Sequence, residues 1–300
     1  MLKVRLPATT ANLGSGYDSI GAALNIFNFI ELEETDNGLF IEVEGEGKDI
    51  IEKNKNNLVY KAIRKVFEKT GTPLKGLKIK LINNIPIARG LGSSAACIVG
   101  GILGANYLLS KPLPDEELLK IAVEMEGHPD NIVPAFLGGV VVSCLSEQGI
   151  THMKLNGING LKFVVVVPNF MIETSLSRKV VPQKVDIKDA IYNIGRASLL
   201  AAGLALGNLE VLKEATKDRL HQPYRNKLIP GMMEVINAAE ANGALGSFLS
   251  GSGPTVIALA NNNIEAIGSA MKKAFKQEGI DSKVYITEPC LEGAKLYVEE

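Results

Sequence analysis

Five consecutive residues, Gly90-Leu91-Gly92-Ser93-Ser94, carry the most readable chemistry of this 300-residue chain. They follow a strand-like segment ending near Pro86 and precede a run of small and apolar residues, Ser93 to Leu109, that reads as a helix. A helix N-terminus presents unpaired N–H groups and a partial positive charge. Glycines let those groups approach a ligand with no side chain in the way. Phosphate is the natural occupant, and Ser93 or Ser94 can offer a hydroxyl to phosphate or to Mg²⁺. A serine cap after a glycine turn would explain a bare Gly-x-Gly-Ser. Two glycines, two serines and the small-residue helix behind them favour phosphate. The loop is neither the Gly-x₄-Gly-Lys-Ser/Thr P-loop nor the Gly-x-Gly-x-x-Gly of dinucleotide sites.

Three further segments have chemical content. Pro7 to Asp18 is polar and glycine-containing and follows the first strand directly, a place where binding groups sit. Asn12 and Asp18 can receive an ammonium or a hydroxyl there, although an Asx-rich turn explains the segment equally well. Glu124 to Asn131 packs Glu124, Glu126, His128, Asp130 and Asn131 into eight positions. A carboxylate is the usual protein ligand of the Mg²⁺ that accompanies ATP. One of the two glutamates ends a solvated helix. Ser250-Gly251-Ser252-Gly253-Pro254 stands at a strand entrance, where it either closes over the site or is a plain turn.

Positioning these groups requires a scaffold, and the sequence supplies one. Strands are expected at Leu2 to Leu6, Leu77 to Ile82, Gly138 to Leu145, Leu161 to Val167, Thr255 to Ala260 and Lys283 to Thr287. Ile30 to Glu34 and Leu39 to Gly45 alternate apolar with acidic residues and read as a hairpin turning at Asn37-Gly38. Helices are expected at Leu58 to Lys69 behind an Asn57 cap, then at Asp115 to Glu126, Asn131 to Phe136, Asp189 to Leu206, Leu209 to Leu220, Gly231 to Asn242 and Ile264 to Gln277. This order indicates an α+β protein. The polar stretch Asn156 to Gly160 divides it into domains 1–157 and 158–300.

Composition excludes several classes. There are 32 basic and 33 acidic residues, a net charge of −1, which gives no long-range pull toward nucleic acid or membranes. Trp is absent and aromatics make up 5%, against a stacking-based nucleic-acid binder. Cys97, Cys144 and Cys290 form no metal or disulfide pattern, which fits a reducing cytoplasm. No apolar stretch is long enough to span a bilayer. A small anionic metabolite suits this chain best.

Taken together, these motifs resemble the GHMP kinase superfamily. Its phosphate loop, Pro-x-x-x-Gly-Leu-Gly-Ser-Ser-Ala, is matched from Pro86 to Ala95, and its C-terminal glycine motif from Ser250 to Pro254. Within the superfamily the chain is similar to the homoserine kinases. Ala11 to Asp18 resembles their ANLGxGFD, Glu126 to Asn131 their EGHPDN, and Arg225 to Pro230 their R…LIP segment. The resemblance implies a two-lobed GHMP kinase fold: an N-terminal domain like domain 2 of ribosomal protein S5 and a ferredoxin-like C-terminal domain. It implies phosphoryl transfer from ATP to the hydroxyl of L-homoserine in threonine biosynthesis. ATP would lie on Pro86, Ile87, Ala88, Arg89, Gly90, Leu91, Gly92, Ser93, Ser94, Ala95 and Ala96. Asn12, Asp18, His128, Asp130, Asn131, Arg178, Arg225 and Gly251 would surround homoserine. Asp18 suits its amino group, and Arg178 and Arg225 its carboxylate. Ser94 and Glu124 would hold Mg²⁺, with Glu126 a competitor for the second position. Asn131, Asp130 and Arg178 are the catalytic candidates, with Asn131 orienting the hydroxyl and Asp130 binding rather than acting as an obligatory base. A homodimer fits the family. Two other readings remain: a sugar or isoprenoid-alcohol kinase, and a non-catalytic ligand sensor on the same fold.

Overall fold

The computed structural model describes residues 1–147, 149–156 and 159–298. The expected domain boundary at 157/158 lies outside the described residues. In chain order the elements are β1 (Leu2–Ala11), β2 (Ile20–Thr35), β3 (Leu39–Gly45), α1 (Leu58–Thr70), β4 (Gly76–Asn83), α2 (Ser93–Leu108), α3 (Asp115–Glu126), α4 (Pro129–Leu137), β5 (Val140–Ser146), β6 (Gly149–Leu155), β7 (Lys162–Pro168), α5 (Thr174–Lys179), α6 (Ile187–Leu206), α7 (Leu212–Ala215), α8 (Gln222–Arg225), α9 (Met232–Ala241), β8 (Gly246–Leu249), β9 (Val256–Ala260), α10 (Ile264–Gln277), β10 (Ser282–Thr287) and β11 (Lys295–Val298).

Two sheets organise them. The first runs β11-β1-β2-β4-β3, with β5 and β6 added where β5 pairs the start of β2. The second runs β10-β7-β9-β8, all antiparallel, with α10 linking β9 to β10. That order, fourth-first-third-second, is the ferredoxin-like arrangement. The last strand returns to pair with β1, so the end of the chain closes the first sheet.

The four valines of β7 show how one strand serves two cores. Successive side chains point to opposite faces. Val165 and Val167 join the large core that includes the first sheet, α1 and α2. Val164 and Val166 join the smaller core under α9 and α10. Helix α2 lies between the first sheet and α1, and its glycines permit the approach. A Cβ on Gly100 would meet Leu6 and Ile30, one on Gly104 would meet Leu32, and one on Gly101 would meet Val59 and Ala62 of α1. Asn57 caps α1 as expected, accepting from the backbone N–H groups of Val59 and Tyr60.

Three expectations are corrected. β2 and β3 do not form a hairpin; β4 lies between them and runs parallel to β3. The reason is burial: Leu77, Ile79 and Leu81 of β4 are fully covered, whereas β3 buries only Ile41 and exposes Glu42 and Glu44, the profile of an edge strand. β1 continues past Pro7 to Ala11 through a register shift between Pro7 and Ala8, which absorbs the missing N–H. The helix expected over Leu209 to Leu220 breaks into a 3₁₀ turn and α7. The Asp218 carboxylate then takes the N–H groups of Leu220, His221 and Gln222 and turns the chain into α8.

Candidate active site

The glycine loop lies against the end of β1 and the second glycine loop. Gly90 and Gly92 have φ of +74° and +66°. A Cβ on Gly90 would fall 2.1 Å from the Ser250 carbonyl oxygen, and one on Gly92 would fall 1.8 Å from Thr9 Oγ1. Both positions therefore need glycine for conformation and for space. Thr9 N–H donates to Leu91 O, and Ser250 Oγ contacts Gly90 O and Thr10 Oγ1. Arg89 Nε donates to Pro168 O at the end of β7, tying the loop to the second sheet. Gly92 provides no side-chain cap for α2, which leaves the helix N-terminus available to an anion.

Helices α3 and α4 meet at Gly127, which takes a φ of +91° and ends α3; Pro129 begins α4. This turn brings Glu126 to the loop. Ser94 Oγ donates to Glu126 Oε2 at 2.8 Å. Glu124 is exposed. Two residues on a helix are roughly 200° apart, so only one of the pair can face the cleft. The expected partnership of Ser94 with Glu124 is thus corrected to Glu126. The pair fits a hard cation: a hydroxyl and a carboxylate oxygen beside a phosphate-binding helix start.

The first turn of α4 supplies the next groups. Asp130 and Asn131 are buried. His128 Nδ1 and Asp130 Oδ1 share a short hydrogen bond. Burial pushes the His128 imidazole down, but the Asp130 hydrogen bond and charge outweigh it, and the net shift is upward. Asn131 Oδ1 accepts from Thr9 Oγ1 at 2.8 Å, which fixes the amide; its Nδ2 reaches Asp130 Oδ1 at 3.4 Å, and an amide nitrogen carries a second hydrogen. A Cβ on Gly21 would strike Asp130 O at 1.7 Å, so β2 packs directly on the start of α4.

The Asn12–Asp18 loop is strained and heavily tied. Asn12, Leu13 and Asp18 all have positive φ. Asn12 Oδ1 accepts from Asp18 N–H, and its Nδ2 donates to Gly251 O. Asp18 Oδ1 and Oδ2 accept from Arg178 Nη2 and Nη1 at 2.9 and 3.2 Å. Acid oxygens of Asp18 and Asp130 and a His128 nitrogen lie within 4.8 Å of one another. Arg225 is 1% exposed. Its Nε donates to Ser177 O, and its Nη1 to Gly251 O and His221 Nδ1. Burial pushes its guanidinium pKa down.

The cleft between the glycine loops is lined by Pro86, Ala88 to Ser94, Glu126, His128, Asn131, Thr174, Gly251 and Ser252. Ala95 and Ala96, in the first turn of α2, are fully buried, and Ile87 is half-buried. Ser252 belongs to the second glycine loop that the sequence offered as closing over the site; Thr174 as a lining residue and Thr9 as the partner of Asn131 were missed. A hydroxyl at the first position of α5, four residues before Arg178, was the available signal for Thr174.

A two-sheet α+β fold with a glycine loop opening α2 defines a GHMP kinase. Residues 57–139 match the family of GHMP kinases N terminal domain, and residues 192–277 match GHMP kinases C terminal. The chain is 46% identical to the homoserine kinase of Carboxydothermus hydrogenoformans, over 98% of this chain and 96% of that one. It is 47% identical to that of Moorella thermoacetica, over 97% and 98%. The crystal structure of homoserine kinase from Cytophaga hutchinsonii superposes with a TM-score of 0.90 at 32% identity, covering 99% and 97%. The chain belongs to the homoserine kinase family of the GHMP kinases.

Proposed function

We propose that the protein transfers the γ-phosphoryl group of ATP to the side-chain hydroxyl of L-homoserine, giving O-phospho-L-homoserine for threonine biosynthesis. The observation that carries this reading is the Asp18–Arg178 pair placed beside His128, Asp130 and Asn131, next to the glycine loop. An amino acid presents an ammonium and a carboxylate. A carboxylate and a guanidinium side by side are complementary to both. A sugar or an isoprenoid alcohol offers nothing for this pair.

Phosphoryl transfer depends on positioning and charge stabilisation more than on a strong base. The α2 N-terminus and the loop N–H groups hold the triphosphate from Pro86 to Ala96. Asn131, its carbonyl held by Thr9, turns its amide nitrogen to the substrate and orients the attacking hydroxyl. Asp130 binds, with its carboxylate engaged by His128. Arg178 offsets negative charge at the transferring group while it holds the substrate. Ser94 and Glu126 would hold Mg²⁺, which when bound neutralises charge on the phosphates. Arg225 and Gly251 brace the carboxylate end with Asn12.

Among the described residues no helix is long and apolar enough to cross a membrane. The proposal places the enzyme in the cytoplasm as a homodimer with no nucleic-acid or membrane partner. ADP release measured with Mg²⁺ and ATP tests the reading. It should rise with L-homoserine, stay at background with mevalonate or galactose, and fall on chelation. A response to an alcohol without an amino-acid backbone, and none to homoserine, would overturn it.

A further inference from the structure

We infer that His221 is a positioning residue, a neutral imidazole that fixes the Asn12–Asp18 loop and Arg225 relative to each other. The side chain is wholly buried. Its Nε2 lies 2.7 Å from Gly14 O, and its Nδ1 lies 3.2 Å from Arg225 Nη1. The two partners dictate the protonation state. A carbonyl only accepts, so Nε2 carries the hydrogen. A guanidinium only donates, so Nδ1 carries the lone pair. A second proton on the ring would point at a donor.

Asp218 does not change this assignment. Its Oδ2 is 3.6 Å from Nε2, beyond a hydrogen bond. Its oxygens already accept from Asn193 Nδ2 and from three backbone N–H groups. The charged and titratable groups around the ring are Asp218, Arg225, Asp18 and Tyr17. Burial is the largest influence and acts in the direction of the neutral form.

The geometry joins segments far apart in the chain. Gly14 has a φ of +83° and sits so close to Thr216 that a Cβ would fall 1.9 Å from its carbonyl oxygen. The Tyr17 ring stacks on His221 at 4.9 Å, and the Arg225 guanidinium lies over Tyr17. Arg225 Nη1 divides its two hydrogens between His221 and Gly251 O, the same carbonyl that Asn12 engages. Movement of His221 therefore moves Arg225 and the loop bearing Asp18 together. The hydrogen bonds of the His221 ring go to Gly14 and Arg225, not to the phosphate loop, so its first effect is on the substrate end of the cleft.

The kinetic part of the test rests on the homoserine reading; the spectroscopic part does not. In the wild-type protein, long-range ¹H–¹⁵N correlation of the His221 ring at pH 7 should give the neutral Nε2–H tautomer. An Nδ1–H tautomer or an imidazolium overturns the inference, whatever the substrate proves to be. His221→Phe should raise the KM for homoserine roughly 10- to 100-fold, with the KM for ATP changed by less than about twofold. His221→Gln, which can donate to Gly14 and accept from Arg225, should recover most of that loss. Should the Phe variant fail to fold, the Gln variant compared with His221→Ala carries the same comparison. An unchanged homoserine KM, or equal losses for both substrates and no recovery with Gln, overturns it. Absence of any homoserine-dependent turnover in the wild-type protein would count against the proposed function and leave the tautomer result to decide His221.

Discussion

Asp18 and Arg178, 160 residues apart in sequence, form a two-point ion pair with contacts of 2.9 and 3.2 Å. Both side chains are about one-third exposed, so the pair is an open charged surface and contributes little to stability. Under the proposed function its value is complementarity to a zwitterion. Arg178→Ala should therefore raise the KM for homoserine roughly 10- to 200-fold, the equivalent of one or two charge-assisted hydrogen bonds. The melting temperature should move by less than about 2 °C. Steady-state kinetics and thermal unfolding check both halves, and a large fall in stability with unchanged KM would assign the pair a structural role.

The Ser94–Glu126 contact makes a residue-level distinction. Glu126→Gln should lower kcat by about 10²-fold at limiting Mg²⁺, with partial recovery as Mg²⁺ is raised. Glu124→Gln should be indistinguishable from wild type, because Glu124 faces solvent. A Mg²⁺ titration of the two variants decides between them.

That distinction also shows what sequence could and could not reveal. Gly90 and Gly92 were legible because a glycine pair before two serines has a local reason, an anion at a helix start. The small residues of α2 and the Asn57 cap were legible for the same local reasons. The choice between Glu124 and Glu126 was not, since it depends on how Gly127 turns α3 into α4 and which face then meets the loop. The pairing of Asp18 with Arg178 depends on two lobes meeting, and no spacing encodes it. His221 carried only a faint signal: it is one of three histidines and stands four residues before Arg225, just past the helix expected at Leu209 to Leu220. The misplaced β2–β3 hairpin arose because Asn37-Gly38 announces a turn without saying which strand lies beside it.

Asp130 separates binding from base catalysis. Asp130→Asn should raise the homoserine KM while kcat stays within about tenfold of wild type, because proton removal contributes little to a loose phosphoryl-transfer transition state. A collapse of kcat at unchanged KM would make Asp130 the base.

The glycine loop predicts a contrast between two substitutions of the same chemistry. Gly92→Ala adds a Cβ 1.8 Å from Thr9 Oγ1 at a φ of +66°. It should cost at least about 2 kcal/mol and disturb Asn131 through Thr9. Gly71→Ala has a φ of +67° but nothing within 4 Å of the new atom. Backbone strain alone should cost about 1 kcal/mol. Denaturant unfolding of the two variants should show that difference, and equal losses would mean the loop relaxes away from Thr9.

The His128–Asp130 hydrogen bond predicts a pH signature in stability. Burial pushes the imidazole down, yet the Asp130 bond and charge carry the net shift upward. A histidine whose folded pKa exceeds its unfolded value of about 6.5 binds its proton more tightly when folded. The stabilisation is therefore fully present below about pH 6.5 and is lost as pH rises through the folded pKa. His128→Gln removes the titrating group and keeps a polar side chain. Loss of packing will lower its melting temperature by an amount independent of pH. On top of that, the gap to wild type should be widest near the acid end of a series run from about pH 5.5 to 8.5 without ligand, and should narrow through neutrality. Reversal of that trend would mean His128 is held neutral in the folded protein.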